Sequence, residues 1–228
     1  MRRIAALLLR FLAALAAPVH AQTLAYEIVD EEVIVDDYGS AGTSERFVQS
    51  ALVPVPAGIA AFGPFRVLDH DRAALVDATD ERSPAAFKAM LAAYPGIGVL
   101  ELVECPGTED DRANLRLGRM IHERGLATHV PNNGSVRSGA VELFLAGISH
   151  TADQGAEFAV HSWADDLGRE ARDYPADAPE NRAYLDYYRE MGMSAASASA
   201  FYAMTNSVPN AEAKWLTVAD MRQWVSLN

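Results

Sequence analysis

Between Ser83 and His161 the chain swaps repeatedly between a helical and an extended hydrophobic period with short connections, and this limits its fold more than any other feature. Ser83-Pro84 reads as an N-cap followed by proline at the first helical position; Phe87, Met90, Leu91 and Tyr94 then recur at helical spacing until Pro95-Gly96 ends the run. Ile97–Glu104 is short and apolar enough for a buried strand. A second helix is expected from Glu109 to Arg124, with Ala113, Leu117, Met120 and Ile121 on one face and Gly125 as its stop. Leu126–Val130 is extended, Pro131–Gly134 a loop, Ser138–Ala146 a third helix, and Phe158–His161 extended again. Strands and helices in alternation imply an α/β fold with a mostly parallel sheet covered by helices.

Outside that block the signals are simpler. Tyr26–Val29, Val33–Val35, Phe65–Leu68 and Ala73–Val76 are short runs broken by turn residues, so residues 22–64 read as a β-rich N-terminal extension and Asp69-His70-Asp71 as a turn. Helical pattern returns from Pro179 to Thr205 with a break at Gly192, and Thr217-Val-Ala-Asp220 resembles a capping box. Residues 163–180, mostly polar, form a surface excursion, and nothing divides residues 22–228 into two domains.

The N-terminus has a different character. Arg2 and Arg3 precede an apolar stretch, and Val19-His20-Ala21 places small residues where a signal peptidase reads them, so residues 1–21 are expected to be a cleaved signal peptide and the protein periplasmic or secreted. Arg10 shortens the apolar run well below the ~20 residues that span a bilayer, and no later segment reaches that length, so no membrane span is expected after cleavage. Nineteen basic residues against thirty-one acidic ones, a net charge of -12, argue against a nucleic-acid partner. A single cysteine, Cys105, excludes an internal disulfide, and with no His pair at ligand spacing neither a metal nor a cofactor is expected.

In a parallel sheet the chemistry belongs in the loops that follow the strands. Two such loops open helices, Cys105-Pro-Gly-Thr108 and Gly134-Ser-Val-Arg-Ser138-Gly139. Ser138 has two readings: a nucleophile beside free backbone N–H groups, or simply the N-cap of the third helix. Gly107 and Thr108 have the same ambiguity, a plain turn or a pair of amides aimed at an oxyanion. His161, at the end of its strand, is the best placed of the histidines to serve a serine as base.

The order Cys105-Pro-Gly-Thr108, Gly134-x-x-x-Ser138-Gly139 and Ala159-Val-His161 resembles the oxyanion loop, nucleophile turn and catalytic-histidine strand of the ClpP/crotonase superfamily. Gly168–Asp173 resembles the handle segment of Clp-type peptidases, and Lys214–Asp220 their closing segment, so the resemblance extends over roughly residues 65–227. It implies repeated β-β-α units and a serine hydrolase, a peptidase by preference, acting on a peptide or a small ester or amide. The roles implied are Ser138 as nucleophile, His161 as base, and Gly107, Thr108 and Gly139 as oxyanion hole. It also implies a homo-oligomer, trimer or hexamer, with which the tyrosine-rich stretch Tyr184, Tyr187, Tyr188 and Tyr202 is consistent. Two departures stand out: Thr108 replaces a glycine, and the family's third triad residue, an aspartate, falls on Ala213. Glu212, Asn210, Asn206 and Asp173 are candidate substitutes, Glu212 foremost. With only Lys88 and Lys214 in the chain, neither in a matching loop, a serine–lysine pair is disfavoured. The competing reading is a catalytically silent protein of the same fold that binds peptides or envelope partners.

Overall fold

A computed structural model describes residues 54–228, so the signal segment, the strands read at 26–29 and 33–35, and most of the N-terminal extension lie outside the described residues. The chain opens with an antiparallel meander, β1 (Ala60–Phe62), β2 (Phe65–Val67) and β3 (Arg72–Leu75). After α1 (Ser83–Ala93) come β4 (Val99–Leu102), β5 (Glu104–Cys105) and α2 (Asp111–Arg124), then β6 (Ala127–Val130), β7 (Ser135–Arg137) and α3 (Gly139–Leu145), then β8 (His150–Ala152) and β9 (Glu157–Val160). The chain therefore repeats strand, strand, helix, as the resemblance implied.

Each repeat feeds two different sheets. A six-stranded sheet runs β1-β2-β3-β4-β6-β8, parallel from β3 onward; β5, β7 and β9 run parallel in a second sheet. The apolar run 97–104, read as a single strand, bends at Val103 between the two sheets. Sequence pattern missed β7 and β8 because three residues are too few to display a period of two. The C-terminal segment completes the second sheet: β10 (Lys214–Thr217) pairs antiparallel with β9, Lys214 opposite Val160 and Trp215 opposite Ala159. Thr217 and Asp220 then form the expected capping box of α6 (Val218–Met221).

Every residue of α3 is buried, and this helix forms the centre of the core, with Phe144 against Phe158 at 5.0 Å between ring centroids. Around it pack Leu100 and Leu102 of β4, Leu117 of α2, and the two helices that end the helical region, α4 (Pro179–Glu190) and α5 (Ala195–Thr205), which are separated at Gly192. Gly118 allows α2 to meet α4 closely, since a Cβ there would lie 2.0 Å from the Tyr187 hydroxyl. Two local readings need correction. Ser83 is not a cap: it is the buried first residue of α1, its hydroxyl donates to Asp80 at 2.8 Å, and Arg82 occupies the N-cap position with no side-chain bond. The tyrosine-rich stretch is not an open face: Tyr187 and Tyr188 are buried within the chain. No helix among the described residues is long and apolar enough to cross a membrane.

Candidate active site

Parallel pairing of β5, β7 and β9 brings the segments that follow them to one edge of the second sheet. After β5, Asp110 caps α2 in the usual manner, in an extended conformation with its carboxylate accepting the Ala113 N–H at 2.8 Å. After β7 the chain behaves otherwise. Ser138 has φ 51° and ψ -132°, its side chain makes no capping bond, and its N–H donates to the Ala159 carbonyl at 2.8 Å. A serine between strand and helix at positive φ is strained by roughly 1–3 kcal/mol, the geometry by which a nucleophile elbow exposes its hydroxyl. Ser138 thus holds the N-cap position of α3, but its side chain does not cap the helix.

Gly107 and Gly139 frame this serine. At Gly107, φ is 130° and a Cβ would lie 2.9 Å from Ser138 Cβ and 3.2 Å from its Oγ, so only glycine fits. At Gly139 a Cβ would lie 2.6 Å from Thr108 Cγ2. The Thr108 hydroxyl accepts the Asp110 N–H at 3.2 Å, which anchors the loop. Thr79 bridges the same segment, donating to the Gly107 carbonyl and accepting from the Glu109 N–H, so the N–H of Thr108 turns away from Thr79. Asn114, buried and not singled out by sequence, donates to the Gly139 carbonyl at 2.6 Å and accepts from Thr79 at 2.8 Å.

His161 follows β9 directly. Its Nδ1 lies 2.8 Å from the Ser162 carbonyl oxygen and 3.3 Å from Asn210 Nδ2. A carbonyl oxygen has no proton to give, so the shorter contact requires the proton on Nδ1 and leaves the Nε2 lone pair basic. Asn210 donates its own amide to the same carbonyl at 2.8 Å, and its backbone N–H donates to Glu170 at 2.9 Å. Of the four substitutes weighed for the missing aspartate, Asn210 is thus the one beside His161. Glu212 is exposed and lies outside the cleft that Ser138 and His161 share; Asp173 caps the short turn Ala171–Asp173; Asn206 lines the cleft while its amide donates to the Tyr202 carbonyl.

That cleft measures about 1070 Å³ and is lined by Thr108, Asn114, Ser138, Gly139, His161 and Asn210. Its far side comes from the surface excursion and from α4 and α5. Trp163 stacks on Tyr184 with ring planes 10° apart and donates to the Tyr202 hydroxyl at 2.7 Å. Glu142 also lines the cleft although only 7% exposed. It accepts the Tyr188 hydroxyl at 2.7 Å, and burial lifts its carboxyl to about 7. Sequence reasoning passed over Glu142; the available signal was a lone acid inside an otherwise apolar helix. Cys105, close in sequence to the oxyanion loop, is no rival nucleophile, since burial pushes its thiol well up. Among the described residues only Asp69, His70 and Asp71 cluster at metal-binding spacing; they sit on the turn between β2 and β3, where Asp69 is bonded to Arg72.

No protein-family profile matches the chain, and no curated protein sequence does. Solved structures give partial likenesses. A variant of the 1510-N membrane-bound stomatin-specific protease in complex with a substrate peptide has a TM-score of 0.45 at 13% identity over 66% of this chain and 69% of its own. The 1510-N protease from Pyrococcus horikoshii, specific for a stomatin homolog, scores 0.44 at 11% identity over 68% and 69%. A ClpP1 variant from Listeria monocytogenes scores 0.43 at 14% identity over 68% and 87%.

Proposed function

We propose that this protein is an exported serine hydrolase, a peptidase by preference, in which Ser138 attacks a peptide, ester or amide carbonyl. The conformation of Ser138 is the observation that supports this most strongly. Strain of this kind persists only where surrounding structure enforces it, and Gly107 on one side and the Ala159 carbonyl on the other do so. His161, held by Ser162 in the tautomer that leaves Nε2 basic, takes the serine proton and returns it to the leaving group. Backbone N–H groups of Gly107, Thr108 and Gly139 stabilise the oxyanion. The Ser162 carbonyl does the orienting work of a triad acid but carries no charge, so it offers the imidazolium less stabilisation than a carboxylate would.

Export, with cleavage after Ala21 and a periplasmic or secreted destination, remains part of the proposal and rests on the N-terminal pattern. Self-association as a trimer or hexamer rests on the family resemblance alone, because Tyr187 and Tyr188 are engaged internally. The neutral partner at His161 Nδ1 favours the second reading, a silent peptide-binding protein of this fold. A fluorophosphonate probe separates the two. Labelling of the wild-type protein that vanishes in Ser138→Ala supports the hydrolase; a wild-type protein that neither labels nor turns over activated esters leaves the binding reading.

A further inference from the structure

Glu142 is hard to justify by packing. The other side chains of α3 are apolar or absent, and an apolar residue of similar size would fill the same place without desolvating a carboxylate. It accepts from the neutral Tyr188 hydroxyl and from backbone, and no lysine or arginine among the described residues pairs with it. Buried carboxylates normally have a cationic partner. This one faces the cleft, four residues beyond Ser138, about one helical turn away and on the same side of the chain.

The rest of the cleft shares this sign. Glu109, Asp111, Asp166 and Glu180 line it with Glu142, against one lining arginine, Arg112, and His161. Three of the lining acids are engaged, Asp110 as the α2 cap, Asp165 with Arg169 and Asp111 in a hydrogen bond with the Tyr184 hydroxyl. Like-signed charges around a concave, partly desolvated site focus their field inward. The same cleft is lined by Tyr184, Tyr202 and Trp163, whose rings offer surface suited to an aliphatic stem ending in a cation.

We propose that the cleft selects substrates carrying a lysine or arginine side chain next to the scissile bond, with Glu142 as its buried counter-ion. The proposal rests on the hydrolase reading and gives that site its substrate class. The selected side chain supplies the cation that the fold leaves out.

The test compares the thiobenzyl esters of N-protected lysine and of norleucine, which match in length and differ in charge. Wild-type protein should favour lysine by tenfold or more in kcat/KM, and Glu142→Gln, which can still accept from Tyr188, should bring the ratio close to one. Equal use of both esters by the wild-type protein, or an unchanged ratio in Glu142→Gln, overturns the proposal. Should Glu142→Gln not fold, Asp111→Asn takes its place and should lower the ratio several-fold; an unchanged ratio there overturns it. If no ester is turned over and the phosphonate probe does not label, the hydrolase reading has failed, and binding of p-aminobenzamidine, followed by its fluorescence, decides the charge selection. Binding that Glu142→Gln weakens at least tenfold supports a cation site, whereas absent or unaltered binding refutes it.

Discussion

The two strand-to-helix turns of the second sheet start from the same topology and reach opposite solutions. Between β5 and α2, Asp110 is extended, caps the helix and gives its carboxylate to a backbone amide. Between β7 and α3, Ser138 is strained and makes no capping bond, and the helix that follows buries an acid. The first turn satisfies its own backbone. The second accepts two unfavourable features within five residues, and such costs concentrate where a side chain is held for chemistry.

Replacing each serine or acid should expose that asymmetry most clearly in catalysis. Ser138→Ala is expected to lower ester hydrolysis by at least about a thousandfold, as loss of a nucleophile does, with a melting temperature close to wild type. A variant that keeps its rate would make the two turns equivalent.

The second contrast is in pH dependence. With the carboxyl of Glu142 at about 7 in the folded protein against 4.5 ordinarily, the native state holds a proton that the unfolded chain lacks between those values. The contribution of Glu142 to stability should therefore fall as pH rises from about 4.5 to about 7, by on the order of 3 kcal/mol, while His150, whose imidazole burial holds low, works in the opposite direction. At Glu142 burial is the main cause and Asp111 adds to it, while the Tyr188 hydrogen bond works the other way. Asp80 and Asp220, both held low by hydrogen bonds, act below that window. Urea midpoints at pH 5 and pH 8 measure the slope, which Glu142→Gln should flatten.

Asn210→Asp should sharpen the comparison by restoring charge on the histidine side. A carboxylate beside His161 Nδ1 would stabilise the imidazolium, and kcat/KM is expected to rise about tenfold, roughly 1.4 kcal/mol. A fall in rate would mean that the amide's hold on the Ser162 carbonyl matters more than charge. The smallest effects are on stability and should have opposite signs. Asp110→Ala removes a cap and should cost about 1 kcal/mol, whereas Ser138→Gly relieves positive φ and should stabilise by up to about 1 kcal/mol. Chemical denaturation of both variants reads the pair; equal signs would refute the assignment of strain.

What the sequence disclosed follows from the range of each signal. The helices over 83–93 and 111–124 were legible because apolar spacing and the Gly125 stop are local. That Thr108, Ser138, Gly139 and His161 would meet at one cleft was legible from their order along the chain. The two-sheet arrangement was not, since Val103 carries no mark of a bend and β7 is three residues long. The surroundings of His161 were half visible: Asn210 stood among the four candidates that the sequence offered, whereas Ser162 acts through its carbonyl, which every residue possesses and no sequence pattern marks.

The pairing of β10 with β9 puts a timetable on this protein. Until residues 210–217 have left the ribosome, β9 is an edge strand and the Ser162 carbonyl beside His161 lacks its amide partner, although the turn carrying Ser138 was made some seventy residues earlier. At translation rates of about 5–20 residues per second, the nascent chain passes several seconds with its serine turn synthesised and its histidine unsupported.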